Sequence, residues 1–227
     1  MTFSDRVNSF NRKLNFTGSL PDGIRVMNPF KENPSILPLT KRFYDKFYND
    51  EKERYLILGI NPGRHGAGVT GIPFTDTIRL EKYCGIKIDE FRSYETSSEF
   101  IYNMIEAYGG TNKFYDRYFT SAVCPLGFTR IGSRGKEVNY NYYDDKELSD
   151  SVYAFIVKNL KTQVSFGINT GTCYCLGTGK NFKFLTDLNK SENLFGEIIP
   201  LEHPRFIMQY RRKKLRNYIN KYLELLK

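Results

Sequence analysis

At 227 residues with 40% hydrophobic content, the chain has the length for one domain, residues 1 to 227, with a sizeable core. Its formal net charge of +9 favours polyanionic partners. No window approaches the roughly 18 apolar residues of a spanning helix, and the N-terminal stretch MTFSDRVNSFNRKLNF lacks a signal peptide's apolar centre. The expectation is therefore a soluble, cytoplasmic monomer, nucleoid-associated if bacterial, with no membrane partner.

Taken in chain order, a helix is predicted near residues 40 to 49, and RYLILGI then reads as a buried strand ended by glycines. TSSEFIYNMIEAY, near 96 to 108, has a helical pattern. DRYFTSAVCPLGF reads as a second strand stopped by Pro125. DDKELSDSVYAFIVKNLK is a helix with acids in its first turn and lysines in its last. TQVSFGI reads as a third strand, CYCLGTGKNFKFLTDLN as a weaker helix and GEIIPLEHP as a fourth strand. From about Tyr210 the tail is helical, with Leu215, Tyr218, Ile219, Tyr222, Leu223 and Leu226 on one stripe. Strands separated by helices imply an α/β fold, a three-layer α/β/α sandwich around a central, mainly parallel four-stranded sheet. In such folds ligands sit beyond the carboxyl ends of the strands, so the loops starting at Asn61, Pro125, Asn169 and His203 are expected to share one crevice.

Metal chemistry has little support. The chain has four cysteines and two histidines, and the Cys173-Tyr174-Cys175 spacing is too tight for the usual C-x-x-C pair. We expect no metal and no cofactor. Residues 205 to 216, RFIMQYRRKKLR, carry six basic side chains and no acidic one. Charge alone leaves this run open to two readings, a solvated helix face or a phosphate-contacting patch.

The glycine-rich stretch ILGINPGRHGAGVTGIPFTD, residues 57 to 76, holds neither G-x-G-x-x-G nor G-K-[ST] at Walker spacing, so both nucleotide-loop motifs fail. It contains Gly59-Ile60-Asn61-Pro62-Gly63 and, further on, Thr70-Gly71-Ile72-Pro73-Phe74. These resemble the first motif of the uracil-DNA glycosylase superfamily, in particular its single-strand-selective monofunctional branch. The mismatch-specific branch shares G-I-N-P-G but has no histidine in its last block, whereas Leu201-Glu202-His203-Pro204-Arg205 carries one here. Cys124-Pro125-Leu126 resembles the branch's middle motif. The superfamily's iron–sulfur branches lack support, because their cysteine spacing is missing.

The resemblance implies a monofunctional DNA glycosylase that excises deaminated or oxidised bases, with damaged DNA as its partner. Asn61 would position the attacking water, and His203 would donate to O2 of the departing base. Both are expected catalytic residues, since cleavage leaves an oxocarbenium-like sugar and an anionic base. Phe74 would stack on the extruded base while the Pro62 to His65 backbone approaches its edge. The branch's edge-reading asparagine is missing before Cys124, where Thr120-Ser121-Ala122-Val123 stand, which leaves Ser121 as the nearest polar candidate. A hydroxyl, as both donor and acceptor, adds hypoxanthine and xanthine to uracil as expected substrates. Where the most uracil-selective branch has a tyrosine beside C5, this chain has Gly63, an opening that adds 5-hydroxymethyluracil. After His203, Arg205 to Tyr210 would form a DNA-binding loop that pushes into the duplex, with Phe206, Ile207 and Met208 as candidate wedges, and Arg211, Arg212, Lys213 and Lys214 would hold phosphates.

Each residue has a plainer reading. His203 before a proline can cap a strand, Asn61-Pro62-Gly63 can be an ordinary turn, Phe74 can be core and Ser121 a buried hydroxyl. The rival functions are a catalytically silent nucleic-acid-binding module and a hydrolase of free nucleosides.

Overall fold

A computed structural model describes residues 1–133 and 135–226. The chain opens with α1 (Phe3–Lys13), β1 (Ile24–Met27), α2 (Pro29–Glu32), α3 (Ile36–Phe47) and β2 (Arg54–Gly59). It continues through α4 (Ala67–Thr70), α5 (Thr77–Cys84), α6 (Thr96–Tyr108), α7 (Thr111–Arg117), β3 (Tyr118–Ala122), β4 (Gly127–Ile131) and β5 (Glu137–Tyr140). The last part holds α8 (Lys146–Val164), β6 (Ile168–Leu176), α9 (Lys180–Glu192), β7 (Glu197–Leu201), α10 (Pro204–Tyr210), a 3-10 turn (Arg212–Lys214) and α11 (Leu215–Leu225). Among the described residues no helix is long and apolar enough to cross a membrane.

The central sheet has four parallel strands in the order β3-β2-β6-β7, flanked by helices as expected. Leu56, Ile57 and Leu58 of β2 are buried, as suits a strand covered on both faces. A second sheet, β1-β4-β5, is antiparallel and was not foreseen. Its strand β4 begins at Gly127, immediately after the Cys124-Pro125-Leu126 block, which the sequence reading had closed as the end of a strand.

The third predicted strand was misplaced. Thr162–Val164 belong to the last turn of α8, and β6 starts at Ile168 and runs through the cysteines assigned to a helix. The cause is polar masking: Asn169, Thr170 and Gly171 lie where the strand is still exposed at the amino edge, so the apolar run is legible only from Thr172 onward. Asn169 consequently sits at the end of the sheet opposite the crevice, donating from Nδ2 to Glu53 Oε2 at 3.0 Å. The loop at the carboxyl end of this strand starts instead at Gly177, whose N–H donates to Leu201 O at 2.7 Å.

Arg54 locks the amino end of β2 inside the core and is 1% exposed. Its guanidinium donates to Asp50 Oδ1 and Oδ2, each at 2.8 Å, and to the carbonyl of Tyr115 at 2.8 Å. It also lies against the stacked rings of Phe3 and Tyr48, 4.9 and 4.7 Å from their centroids. Arg54→Ala leaves buried carbonyls without donors and a cavity beside two stacked rings. The expected loss is about 3 kcal/mol, the low end for a broken buried ion pair because Asp50 can reach water. A urea titration showing less than about 1 kcal/mol would contradict this account.

Candidate active site

The carboxyl edge of the parallel sheet is tied across its strands. Val123 N–H donates to Gly59 O at 3.0 Å and Cys124 N–H to Ile60 O at 3.1 Å. Asn181, at the start of α9, donates to Leu176 O at 3.0 Å and Gly59 O at 3.4 Å. This edge opens into a cavity lined by Gly59, Asn61, Gly63, Phe74, Ser121 and His203 among others, so the residues singled out from the three sequence blocks converge.

Asn61 follows β2 and is clamped by the end of the antiparallel sheet. Its Oδ1 accepts from Tyr142 N–H at 3.2 Å, and its Nδ2 donates to Tyr140 O at 3.3 Å. Both bonds define the amide orientation and leave Oδ1 a second lone pair for a water. This support comes from β5, the element missed in the sequence.

His203 caps α10. Its Nδ1 accepts from Arg205 N–H at 3.1 Å, which places the ring proton of the neutral imidazole on Nε2. Burial, reinforced by the neighbouring Arg205 charge, pushes its pKa down to about 4. The group is thus a neutral N–H donor throughout the physiological range, suited to an oxygen that gains negative charge.

Phe74 sits at φ 54°, a left-handed conformation that bulky side chains rarely adopt and that costs about 1–3 kcal/mol. The turn holds it there. Thr70 is fully buried, with its hydroxyl 2.7 Å from Thr75 O, and Gly71 at φ 70° lies against Phe30, Ile36 and Thr40, where a Cβ would come within 2.9 Å of their side chains. The tip of the Phe74 ring abuts Gly59, where a Cβ would meet its Cζ at 2.5 Å, and the ring centroid is 6.4 Å from that of His203. Gly59 is a glycine because an aromatic floor rests on it.

Ser121, paired with Leu58 at the end of β3, is 7% exposed and donates its hydroxyl to Gln163 Oε1 of α8. It lines the cavity with its donor already engaged. Behind it the cavity continues to Asn11 and Tyr44.

Two polar groups absent from the sequence reading, Asn139 and Glu95, also face the site, beside Arg205, which that reading had named for DNA contact. Asn139 of β5 accepts Arg64 N–H on Oδ1 at 3.0 Å, which turns its Nδ2 toward Gly63. Glu95 lies against Gly63 and Gly66. Arg205 lines the mouth. Asn139 and Glu95 lie in stretches without a motif, and periodicity carries no signal for them.

After His203 the wedge assignment needs correction. Ile207 and Met208 are 0% and 5% exposed, because Pro204, Ile207 and Met208 form the inward face of α10. Neither can enter a duplex. Phe206 is 41% exposed and Tyr210 66%, one turn apart on the outer face with ring centroids 5.6 Å apart. The Arg211 guanidinium lies 5.4 Å from the Phe206 ring centroid. Lys213 is exposed, whereas Arg212 is held by Glu99 at 2.8 Å.

A clamped amide and a neutral imidazole N–H sharing a cavity with an aromatic floor suit hydrolysis of an N-glycosidic bond. Residues 46–227 match the family model described as the uracil DNA glycosylase superfamily. The chain belongs to that superfamily. It is similar to the crystal structure of wild-type SMUG2 from Pedobacter heparinus, with 54% identity over 99% of this chain and 96% of that one and a TM-score of 0.96. No curated protein matches. The superfamily member is thus a DNA glycosylase of the SMUG-like kind, and the silent-module reading gives way. Among its described residues no group of three His, Cys, Asp or Glu stands close enough to hold a metal, and the four cysteines are buried and unpaired.

Proposed function

We propose that this glycosylase removes deaminated and 5-substituted bases, namely uracil, hypoxanthine, xanthine and 5-hydroxymethyluracil, in base excision repair. The observation that carries the reading is the Gly63 face, where polar groups, Glu95 and Asn139, stand in the space a tyrosine would fill. The cavity lining, which includes Asn11 and Tyr44 as well as Ser121, supports the larger purines.

In the proposed chemistry the flipped base stacks on Phe74, and Asn61 Oδ1 orients a water toward the sugar. Asparagine cannot take the proton, so the amide contributes orientation. His203 Nε2–H donates to the carbonyl oxygen that becomes anionic as the bond breaks. Phe206 and Tyr210 occupy the space left in the helix, and Arg205, Arg211, Arg212 and Lys213 bind phosphates alongside. A panel of oligonucleotides carrying each of the four bases, scored by alkali cleavage, tests the substrate range. Cleavage confined to uracil refutes the open-edge reading.

Neutralising Arg211 and Lys213 together should weaken binding to all DNA alike and flatten the slope of log affinity against log salt by about two units, because each phosphate contact releases roughly one counterion. Arg212 alone should change the slope less, as its charge is partly spent on Glu99. An unchanged slope in the double variant returns the segment to a solvated face.

A further inference from the structure

The Gly63 side of the cavity holds a carboxyl group with no assigned task. A Cβ on Gly63 would lie 2.9 Å from Glu95 Oε1, and one on Gly66 would lie 2.0 Å from Oε2. Two glycines thus make room for one acidic side chain. The placement is built in from below. Asp76, fully buried, accepts Arg79 N–H at 2.8 Å on Oδ1 and Glu95 N–H at 2.9 Å on Oδ2, which joins the start of α5 to the residue that opens α6. Glu95 is the N-cap of α6, yet its carboxyl makes no capping bond, and among the described residues it takes no ion pair. It points instead toward Gly63, with Asn139 Nδ2 3.6 Å from that same Cβ position.

We propose that Glu95 is a specificity-determining residue of the base pocket, where as a protonated acid it donates a hydrogen bond to an acceptor on the base edge beside Gly63. The inference rests on the glycosylase reading of the pocket. In uracil the edge at C5 adjoins the C4 carbonyl, and in hypoxanthine and xanthine the corresponding edge presents O6 and N7. All are acceptors, and the C4 or O6 oxygen gains negative charge as the base departs. A neutral carboxyl donates to them, while a carboxylate repels them.

The electrostatics supply the proton. Burial, with help from the Asp76 charge, pushes Glu95 up to about 7, against the opposing pull of Arg205. The other charged groups on elements packed against it are Arg64 and His65 on the loop between the two glycines and Arg79 on α5. His65 is lowered by burial and by Arg64 and Arg205, and His203 is at about 4, whereas Glu95 is raised to about 7. The sign follows: the donor is present below about pH 7 and is lost as pH rises through that value.

The test is a single-turnover pH series from 5.5 to 8.5 on oligonucleotides carrying uracil, hypoxanthine or xanthine, for the full-length wild type and Glu95→Gln. The wild-type rate should fall by about tenfold or more across the series, the equivalent of one hydrogen bond to a charged group. Glu95→Gln, whose amide keeps a donor at every pH, should stay near the low-pH rate throughout. On 5-hydroxymethyluracil the fall should be shallower, because that hydroxyl can donate to the carboxylate. A flat wild-type profile overturns the assignment without any variant, and an inflection that persists in Glu95→Gln assigns it to another group such as His65. Cleavage of none of the bases removes the substrate reading and this inference with it, whereas cleavage with a flat profile removes the role of Glu95 alone.

Discussion

Asn61→Ala and His203→Ala should each lower the single-turnover rate on a cleaved base by about a hundredfold or more, the effect of losing one donor aimed at developing charge. The two act at different places. Asn61 is held by Tyr140 O and Tyr142 N–H at 3.3 and 3.2 Å, so its loss frees the water-side geometry while leaving the base contact intact. His203 reaches the cavity from the cap of α10, where Arg205 N–H at 3.1 Å binds its ring. Truncating it therefore removes the Nε2–H donor and one cap bond, a modest cost of about 1 kcal/mol in stability. DNA binding should be nearly unchanged in both variants, because phosphate contacts lie on the outer face of α10 and beyond. Near-wild-type rates would end the mechanism, and a parallel collapse of binding would indicate misfolding. Since the imidazole stays neutral above about pH 4, His203 itself should add no inflection in the neutral range.

Gly63→Tyr should suppress cleavage of 5-hydroxymethyluracil far more than cleavage of uracil, because the ring would occupy the side of the pocket beside C5. Thymine should remain a poor substrate of the wild type, as its methyl cannot replace the hydrogen bonds of displaced water. The structure sharpens the experiment. Gly63 does not adopt the left-handed backbone that excludes side chains, and a Cβ there meets the far end of the flexible Glu95 side chain at 2.9 Å. A tyrosine is therefore admissible in the backbone, and Glu95 must turn aside. Gly63→Ala is the control, too small to reach C5. Measured as a ratio of single-turnover rates, the discrimination should change by at least tenfold in the tyrosine variant and little in the alanine variant. Equal losses on both substrates in both variants would show that Gly63 serves backbone shape alone.

Much of this site was legible because its residues sit in short, contiguous blocks. Gly59 to Gly63 and Leu201 to Arg205 each combine a strand end with a constrained turn, and Thr70 to Phe74 a helix end with one; such local chemistry does not depend on distant partners. What failed depended on environment. β6 was hidden because the polar Asn169-Thr170-Gly171 segment gains its strand conformation from pairing near β2 and β7, not from its own hydrophobicity. Met208 and Phe206 look alike in a basic, apolar-rich run, and only the packing of α10 on α6 buries one and exposes the other.

By itself the sequence determined the layered α/β order, the placing of Asn61 and His203 after strand ends, and the basic tail, whereas Phe74 stands in the turn between α4 and α5. Apolar runs and turn residues act over a few positions, so these features survive without coordinates. The tertiary structure alone decided that β5 clamps the Asn61 amide, that Ser121 spends its hydroxyl on Gln163, and that Asp76 positions Glu95 against Gly63. These contacts join residues tens of positions apart. Their hydrogen bonds and the desolvation that shifts Glu95 exist only where folding brings separate elements together and excludes water between them.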